Sequence, residues 1–342
     1  MAGPDESSFR YAHWATPDPE WDKYKDFENP FAGLESPSVP AMREIMSKTP
    51  INFPYKRDEV TGVVISHQSI EARDGVELEL RIYKRGDLNS DAVLFFVTHG
   101  GGWAMGDHNT EEAMNRLVAK RTNSVVVSVN YRLAPEFPFP FPVNDSFDAL
   151  QWCRENAKSF GVDPNRVIVG GSSSGGNIAA ALALKDRDEG IGAVFGQVLN
   201  IPDICHPAHF PRDKYEYSSP EQNKNGPIIT MEAAHWLWDL YCPTAGADSY
   251  ASPLLAESHK GLAPALIQVA GRDPGRDEGL AYSEGLKKAG VAVKTKVYPG
   301  LPHAFHLFPD LEDTMTYHNT VVDWINFLDK DMAKITKFDK RV

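Results

Sequence analysis

The chain has 342 residues, of which 42% are apolar and 26 are glycine, enough to bury a substantial core. Its formal net charge is −12 at pH 7, which argues against nucleic acid and anionic membrane as standing partners, because both attract basic surfaces. No run of about 18 apolar residues is present, so no transmembrane helix is expected. The stretch from Met1 to Arg10 is polar and acidic, with no basic segment leading into an apolar one, and no secretory signal is expected. Cys153, Cys205 and Cys242 are an odd, sparse set and form no disulfide framework. A reducing, cytoplasmic setting is expected.

Residues 1–58 are rich in proline, aromatics and charge. Trp14, Trp21, Tyr24, Phe27 and Phe31 make the stretch too aromatic for a disordered tail, and short helices packed on another part of the chain are predicted. Two strands are predicted over 60–67 and 76–83, the second alternating between apolar and charged residues from Val76 to Leu80. The continuous apolar run 92–97 suits a strand buried on both faces. A helix over 110–121, a strand over 124–130, a helix over 143–159 and a strand over 166–169 follow. Further strands are predicted over 194–199, 265–270 and 291–298, with helices between them and a last helix over 311–336. Strands alternating with helices define an α/β chain with a mostly parallel sheet covered on both faces. The exception is 203–250, which carries Trp236, Trp238 and Tyr241 on a helical stretch and holds no convincing strand. An insertion of this size between two sheet strands reads as a lid or cap.

Gly171-Ser172-Ser173-Ser174-Gly175 fits G-x-S-x-G, between a strand and an alanine-rich helical run over 177–184. A sharp strand-to-helix turn strains the central residue, and side chains at the flanking glycine positions would collide with it. The pentapeptide places Ser173 at the apex as the candidate nucleophile. Ser174 follows it, with a backbone N–H within reach of a developing oxyanion. His99-Gly100-Gly101-Gly102-Trp103 stands after an upstream strand. It is no phosphate loop, because neither the Walker pattern nor G-x-G-x-x-G is completed. Backbone donors are expected from Gly101, Gly102 and Ser174, each worth roughly 2.7–4 kcal/mol of barrier when charge builds on a carbonyl oxygen. Trp103 is a candidate pocket-lining residue, and His99 is expected to orient the loop.

In this kind of site the acid follows the nucleophile in the chain and the histidine comes last. Asp273 stands just after the strand at 265–270, where catalytic loops collect in open parallel sheets, whereas Asp277 reads as a helix-cap or first-turn carboxylate. His303 lies after the last strand and before the last helix, with His306 its rival in sequence. His206 and His209 have no matching ligand set, so no metal and no cofactor is expected. The chemistry then follows from the groups. A serine hydroxyl is a weak nucleophile until an imidazole takes its proton, and a carboxylate holds that imidazole in the correct tautomer.

These residues resemble the hormone-sensitive-lipase-like esterases of the α/β-hydrolase superfamily. The likeness is carried by His99 to Trp103, Tyr131-Arg132-Leu133-Ala134-Pro135-Glu136, Gly171 to Asn177, Ser252-Pro253-Leu254-Leu255, Asp273 to Gly279 and Pro302 to Phe305. The resemblance implies an α/β-hydrolase fold with an eight-stranded, mostly parallel sheet flanked by helices. It implies a catalytic domain over 59–202 and 251–342, and a helical cap from 1–58 and 203–250. It also implies a carboxylesterase for small to medium acyl esters, working through an acyl-enzyme, with a small-molecule ester as partner. Homodimers through the last strand and helix are frequent in the family and are carried over as an expectation. Two departures stand out: Ser172 and Ser174 replace the family's usual Asp and Ala, and Gly275 replaces a Leu. Other readings stay open. The same triad serves amide or thioester cleavage, acyl transfer and tailoring of biosynthetic intermediates, and the plant gibberellin receptors resemble this family yet lack a working catalytic histidine. The 203–250 stretch mixes Trp238 and Tyr241 with His209, Asp213, Lys214 and Glu216, which suits a pocket roof better than an interfacial lipase lid.

Overall fold

The computed structural model describes residues 9–24, 38–48, 51–89, 91–244 and 247–331. Phe27, Phe31 and the predicted end of the last helix beyond 331 lie outside the described residues. In chain order the main elements are α1 (Val39–Lys48), β1 (Val63–Glu71), β2 (Glu77–Arg85), β3 (Ala92–Thr98), α2 (Glu112–Arg121), β4 (Ser124–Asn130), α3 (Phe141–Glu155), α4 (Ala157–Phe160), β5 (Val162–Ser172), α5 (Ser174–Asp188), β6 (Val194–Asn200), α6 (Ser219–Gln222), α7 (Met231–Tyr241), β7 (Ala265–Arg272), α8 (Arg276–Lys288), β8 (Val293–Pro302) and α9 (Glu312–Asp331). Two 3-10 turns, Ala12–Ala15 and Pro19–Tyr24, precede them.

The eight strands form one sheet in the order β1-β2-β4-β3-β5-β6-β7-β8. The β1–β2 and β2–β4 pairs are antiparallel, and every later pair is parallel. The continuous apolar run of β3 has its reason here, since all seven of its residues are buried. Successive side chains point to opposite faces. Leu94 and Phe96 join the core that holds Val127, Val169 and α5, while Val93, Phe95 and Val97 join the core that holds Ile168, Leu266 and α9. Full burial of each such side chain contributes about 1.5–3 kcal/mol. β1 departs from prediction, starting three residues late and running four further. It is an edge strand with mostly exposed residues (Val64 is 65% exposed), so its apolar alternation is weak. β5 likewise starts at Val162, upstream of the predicted 166, and its pairing with β3 carries a register shift that blurs the pattern.

Among the described residues of 1–58, helix α1 and the 3-10 turns have different partners. Helix α1 packs against α7, with Val39 and Met42 in one cluster with Leu237 and Met105. The 3-10 turns pack instead at the ends of β7 and β8, where Trp21 meets Phe308 edge-on and the Asp18 N–H donates to the Gly300 carbonyl.

Candidate active site

The first side chain of the site is set by a backbone constraint. Ser173 lies between the last residue of β5 and the first of α5 and holds φ +56°, ψ −124°. A non-glycine residue there costs of order 1–3 kcal/mol, which the surroundings must offset. They do so by close packing. A Cβ on Gly175 would sit 2.1 Å from the Thr98 carbonyl oxygen, and one on Gly171 would sit 2.4 Å from the same atom. Only glycine lets β3 and the turn approach this far. Helix α5 is buried along its length, and the small side chains of Ala179, Ala180, Ala181 and Ala183 favour its close packing. Its first-turn N–H groups have no intrahelical acceptor and point toward the turn.

His303 Nε2 lies 3.0 Å from Ser173 Oγ, and His303 Nδ1 lies 2.6 Å from Asp273 Oδ2. Three parallel strand ends supply these groups: Ser173 follows β5, Asp273 follows β7 and His303 follows β8. The Gly275 N–H donates to Asp273 Oδ1 at 2.8 Å and fixes the carboxylate plane. Both Asp273 and His303 are buried. Burial pushes the imidazole down, but the Asp273 charge and hydrogen bond outweigh it, and the His303 pKa is raised to about 8. His306, the rival in sequence, stacks on Tyr317 with centroids 4.7 Å apart, and burial holds it well below the usual histidine range. Asp277 accepts from the Ser218 and Ser219 N–H groups and pairs with Arg276, so it ties the 203–250 stretch to α8.

The glycine triplet lies against the Ser173 turn, since a Cβ on Gly100 would be 2.9 Å from the Ser172 carbonyl oxygen. Gly101 and Gly102 hold φ +127° and +61°. The Ala104 and Met105 N–H groups both donate to the Gly101 carbonyl, closing the loop. His99 is buried, with its Nδ1 2.9 Å from the Gly100 carbonyl oxygen and its ring stacked on Tyr131. The Tyr131 hydroxyl donates to the His99 carbonyl at 2.7 Å. Trp103 lines the cavity above Ser173, and its indole stacks on Tyr241 and leans on Trp238.

That cavity has a volume of about 230 Å³, and Met46, Ile229, Ala234, Leu237 and Trp238 form its apolar wall. A second space of about 450 Å³ adjoins it, sharing Met46, Thr110, Glu111, His306 and Leu307. Thr230 caps α7 by accepting the Ala233 N–H, which aims Leu237 and Trp238 at the site. His206 and His209 lie with ring centroids 5.7 Å apart, and among the described residues no group of three His, Cys, Asp or Glu could hold a metal ion.

Two carboxylates were not anticipated. Ser173 Oγ also donates to Asp203 Oδ2 at 3.0 Å, and Ser172 Oγ donates to Glu111 Oε2 at 3.2 Å. Burial pushes the Asp203 carboxyl up to about 6 and that of Glu111 up to about 7. A signal for Asp203 existed, because it follows β6 at the same edge of the sheet as Asp273. Glu111 gave none, since it belongs to a charged pair read as the start of a helix.

The fold and this arrangement of strand ends define an α/β hydrolase. The family described as alpha/beta hydrolase fold matches residues 95–307. The chain belongs to the hormone-sensitive-lipase-like family of α/β hydrolases. It is 34% identical over 269 residues to versiconal hemiacetal acetate esterase of Dothistroma septosporum, covering 77% of this chain and 81% of the relative. It is 34% identical to carboxylesterase NlhH of Mycobacterium tuberculosis, covering 68% and 72%. Among solved structures, vibralactone cyclase superposes with TM-score 0.83 at 27% identity, covering 96% and 97%. A bacterial heroin esterase superposes with TM-score 0.78 at 29% identity, covering 92% and 98%. The chain is a serine-type carboxylic ester hydrolase. Among the described residues no helix is long and apolar enough to cross a membrane.

Proposed function

We propose that Ser173 is the nucleophile of this esterase, His303 the general base and Asp273 the residue that orients and stabilises the imidazolium. The observation that carries the reading is the continuous hydrogen-bond line from Asp273 Oδ2 through His303 to Ser173 Oγ, at 2.6 and 3.0 Å. In the first step the Ser173 oxygen bonds to the ester carbonyl carbon while its proton passes to His303 Nε2. Backbone N–H groups of Gly101, Gly102 and Ser174 hold the oxyanion. His303 then protonates the departing alcohol, and water, deprotonated by the same imidazole, releases the acid.

In this reading α1 and the 203–250 stretch roof the pocket as the cap. The small, mostly apolar cavity favours short to medium acyl groups. A homodimer through β8 and α9 belongs to the same proposal, supported by the position of β8 at the sheet edge, and sedimentation tests it. Cys153, Cys205 and Cys242 are buried and form no disulfide among the described residues, which supports a reducing compartment.

The test is hydrolysis of p-nitrophenyl esters from acetyl to long acyl chains by wild type and Ser173→Ala. Turnover by wild type alone, with an optimum at short or medium chains, is expected. A folded Ser173→Ala variant that keeps wild-type turnover would remove Ser173 from the mechanism. Vibralactone cyclase, a structural neighbour covering 96% of this chain, favours a second reading in which the same triad performs cyclisation or transfer. A wild type that reacts with a fluorophosphonate yet cleaves no simple ester would support it.

A further inference from the structure

The Ser173 hydroxyl has one proton and two acceptors, His303 Nε2 and Asp203 Oδ2, each 3.0 Å away. The triad reaction uses only the first. Asp203 is no part of the 2.6 Å pair that orients the imidazole, and it lines the cavity beside Ile229 and Trp238. Among the described residues Ser173 is the donor on its carboxylate. Its backbone is pinned, because the Asp203 N–H donates to the Ser173 carbonyl at 3.3 Å. The carboxylate is therefore held in place, half-buried, and open to whatever enters the cavity.

The consequence comes when substrate reacts. Once the serine proton moves to His303 and the oxygen bonds to carbon, Asp203 loses its hydrogen-bond donor. A partly desolvated carboxylate left without a donor is costly, and the imidazolium that forms nearby offsets that cost through its charge alone. A substrate that brings a donor of its own removes that cost. An ammonium is the poorer choice, because it would sit beside His303 just as the imidazole becomes positive.

We infer that Asp203 is a specificity-determining residue that selects esters carrying a hydroxyl close to the scissile carbonyl. The inference rests on Ser173 being the nucleophile. Burial already pushes the Asp203 carboxyl up to about 6, in keeping with a group short of polar partners.

The hydroxyl can belong to the acyl group or to the alcohol, and two matched pairs distinguish these sources. Methyl 3-hydroxybutanoate against methyl butanoate probes the acyl side. 2-Hydroxyethyl butanoate against propyl butanoate probes the alcohol side. All four are followed by acid release in wild type, Asp203→Asn and Asp203→Ala, with fluorophosphonate labelling of Ser173 as the check that the nucleophile is intact. Wild type is expected to favour the hydroxylated member of one pair by about 10- to 100-fold in kcat/KM, with the preference reduced in Asp203→Asn and within about twofold of unity in Asp203→Ala. No preference in wild type, or an undiminished preference in Asp203→Ala, overturns the inference. A wild type that is labelled yet cleaves none of the four also overturns the inference, whereas one that neither cleaves nor is labelled would instead overturn the nucleophile assignment beneath it.

Discussion

In the proposed mechanism His303 sets the pH at which the site works. Only the neutral imidazole can take the serine proton, so activity requires deprotonated His303. Asp273 stabilises the protonated form and raises the pKa to about 8, above the ordinary histidine value of about 6.5. The sign follows: kcat/KM is full above the raised pKa and falls as pH drops through it. A profile in p-nitrophenyl ester hydrolysis with its half-point near pH 8 is expected. A plateau running unbroken from about pH 6 to 9 would contradict this placement of the base. The sequence pointed to the histidine but only to its reference pKa, because the 2.6 Å approach of Asp273 depends on where β7 and β8 end. Replacing Asp273 by Asn should leave the fold intact and lower kcat roughly ten-thousandfold, since the amide favours the wrong imidazole tautomer. A loss of less than about tenfold in a folded variant would show that the carboxylate is dispensable.

Elements rather than single residues shape the pocket, and the contact between α1 and the glycine loop is a clear case. The Arg43 guanidinium donates to the Ala104 and Ala134 carbonyls and bridges Glu136 at 2.7 Å. The ion pair is substantially exposed and adds little. The two carbonyls matter more, because removing the guanidinium leaves both without that donor. Arg43→Ala should cost about 1–2 kcal/mol, nearly all of it from the carbonyls. Loosened α1 packing should raise KM more than it lowers kcat. A Michaelis–Menten comparison with a thermal melt checks both, and an unchanged KM would mean that α1 does not shape the site. Gly101→Ala makes the complementary test on the other side of the pocket. Its Cβ would meet the Met105 carbonyl oxygen at 2.3 Å, and its φ of +127° disfavours any side chain. A fall in kcat of roughly 10²–10³ from one displaced donor is expected, and turnover close to wild type would argue against the loop as an oxyanion hole.

At the scale of the molecule, the sheet and its strand ends were legible because they rest on periodicity and on glycine-rich turns. Continuous apolar runs marked β3 and β4, and the G-x-S-x-G turn marked the end of β5. The partners of the N-terminal stretch were not legible, since no local pattern says which surface a short aromatic helix will cover. Asp203 stood at a legible strand end, but its partner was hidden for a related reason. Its neighbours in sequence belong to the insertion, while its neighbour in space is Ser173. The path of the 3-10 turns has a measurable effect. A Cβ on Gly271 would lie 2.2 Å from the Trp14 carbonyl oxygen, so Gly271→Ala should push this segment off β7. Because Asp273 stands two residues on, a lowered melting temperature together with a lowered kcat is expected. A variant with wild-type kcat would show that the segment does not help to place Asp273.

The spread of the site along the chain also bears on when the protein becomes active. Ser173 and His303 are separated by 130 positions. At a synthesis rate of about 5–20 residues per second, the Ser173 turn leaves the ribosome roughly 7 to 26 seconds before His303 does. Strands β3 to β6 are complete by then, so the strained turn can form and wait without its base. On the proposed mechanism the nascent chain is a scaffold first and becomes a hydrolase only once its last strand has docked.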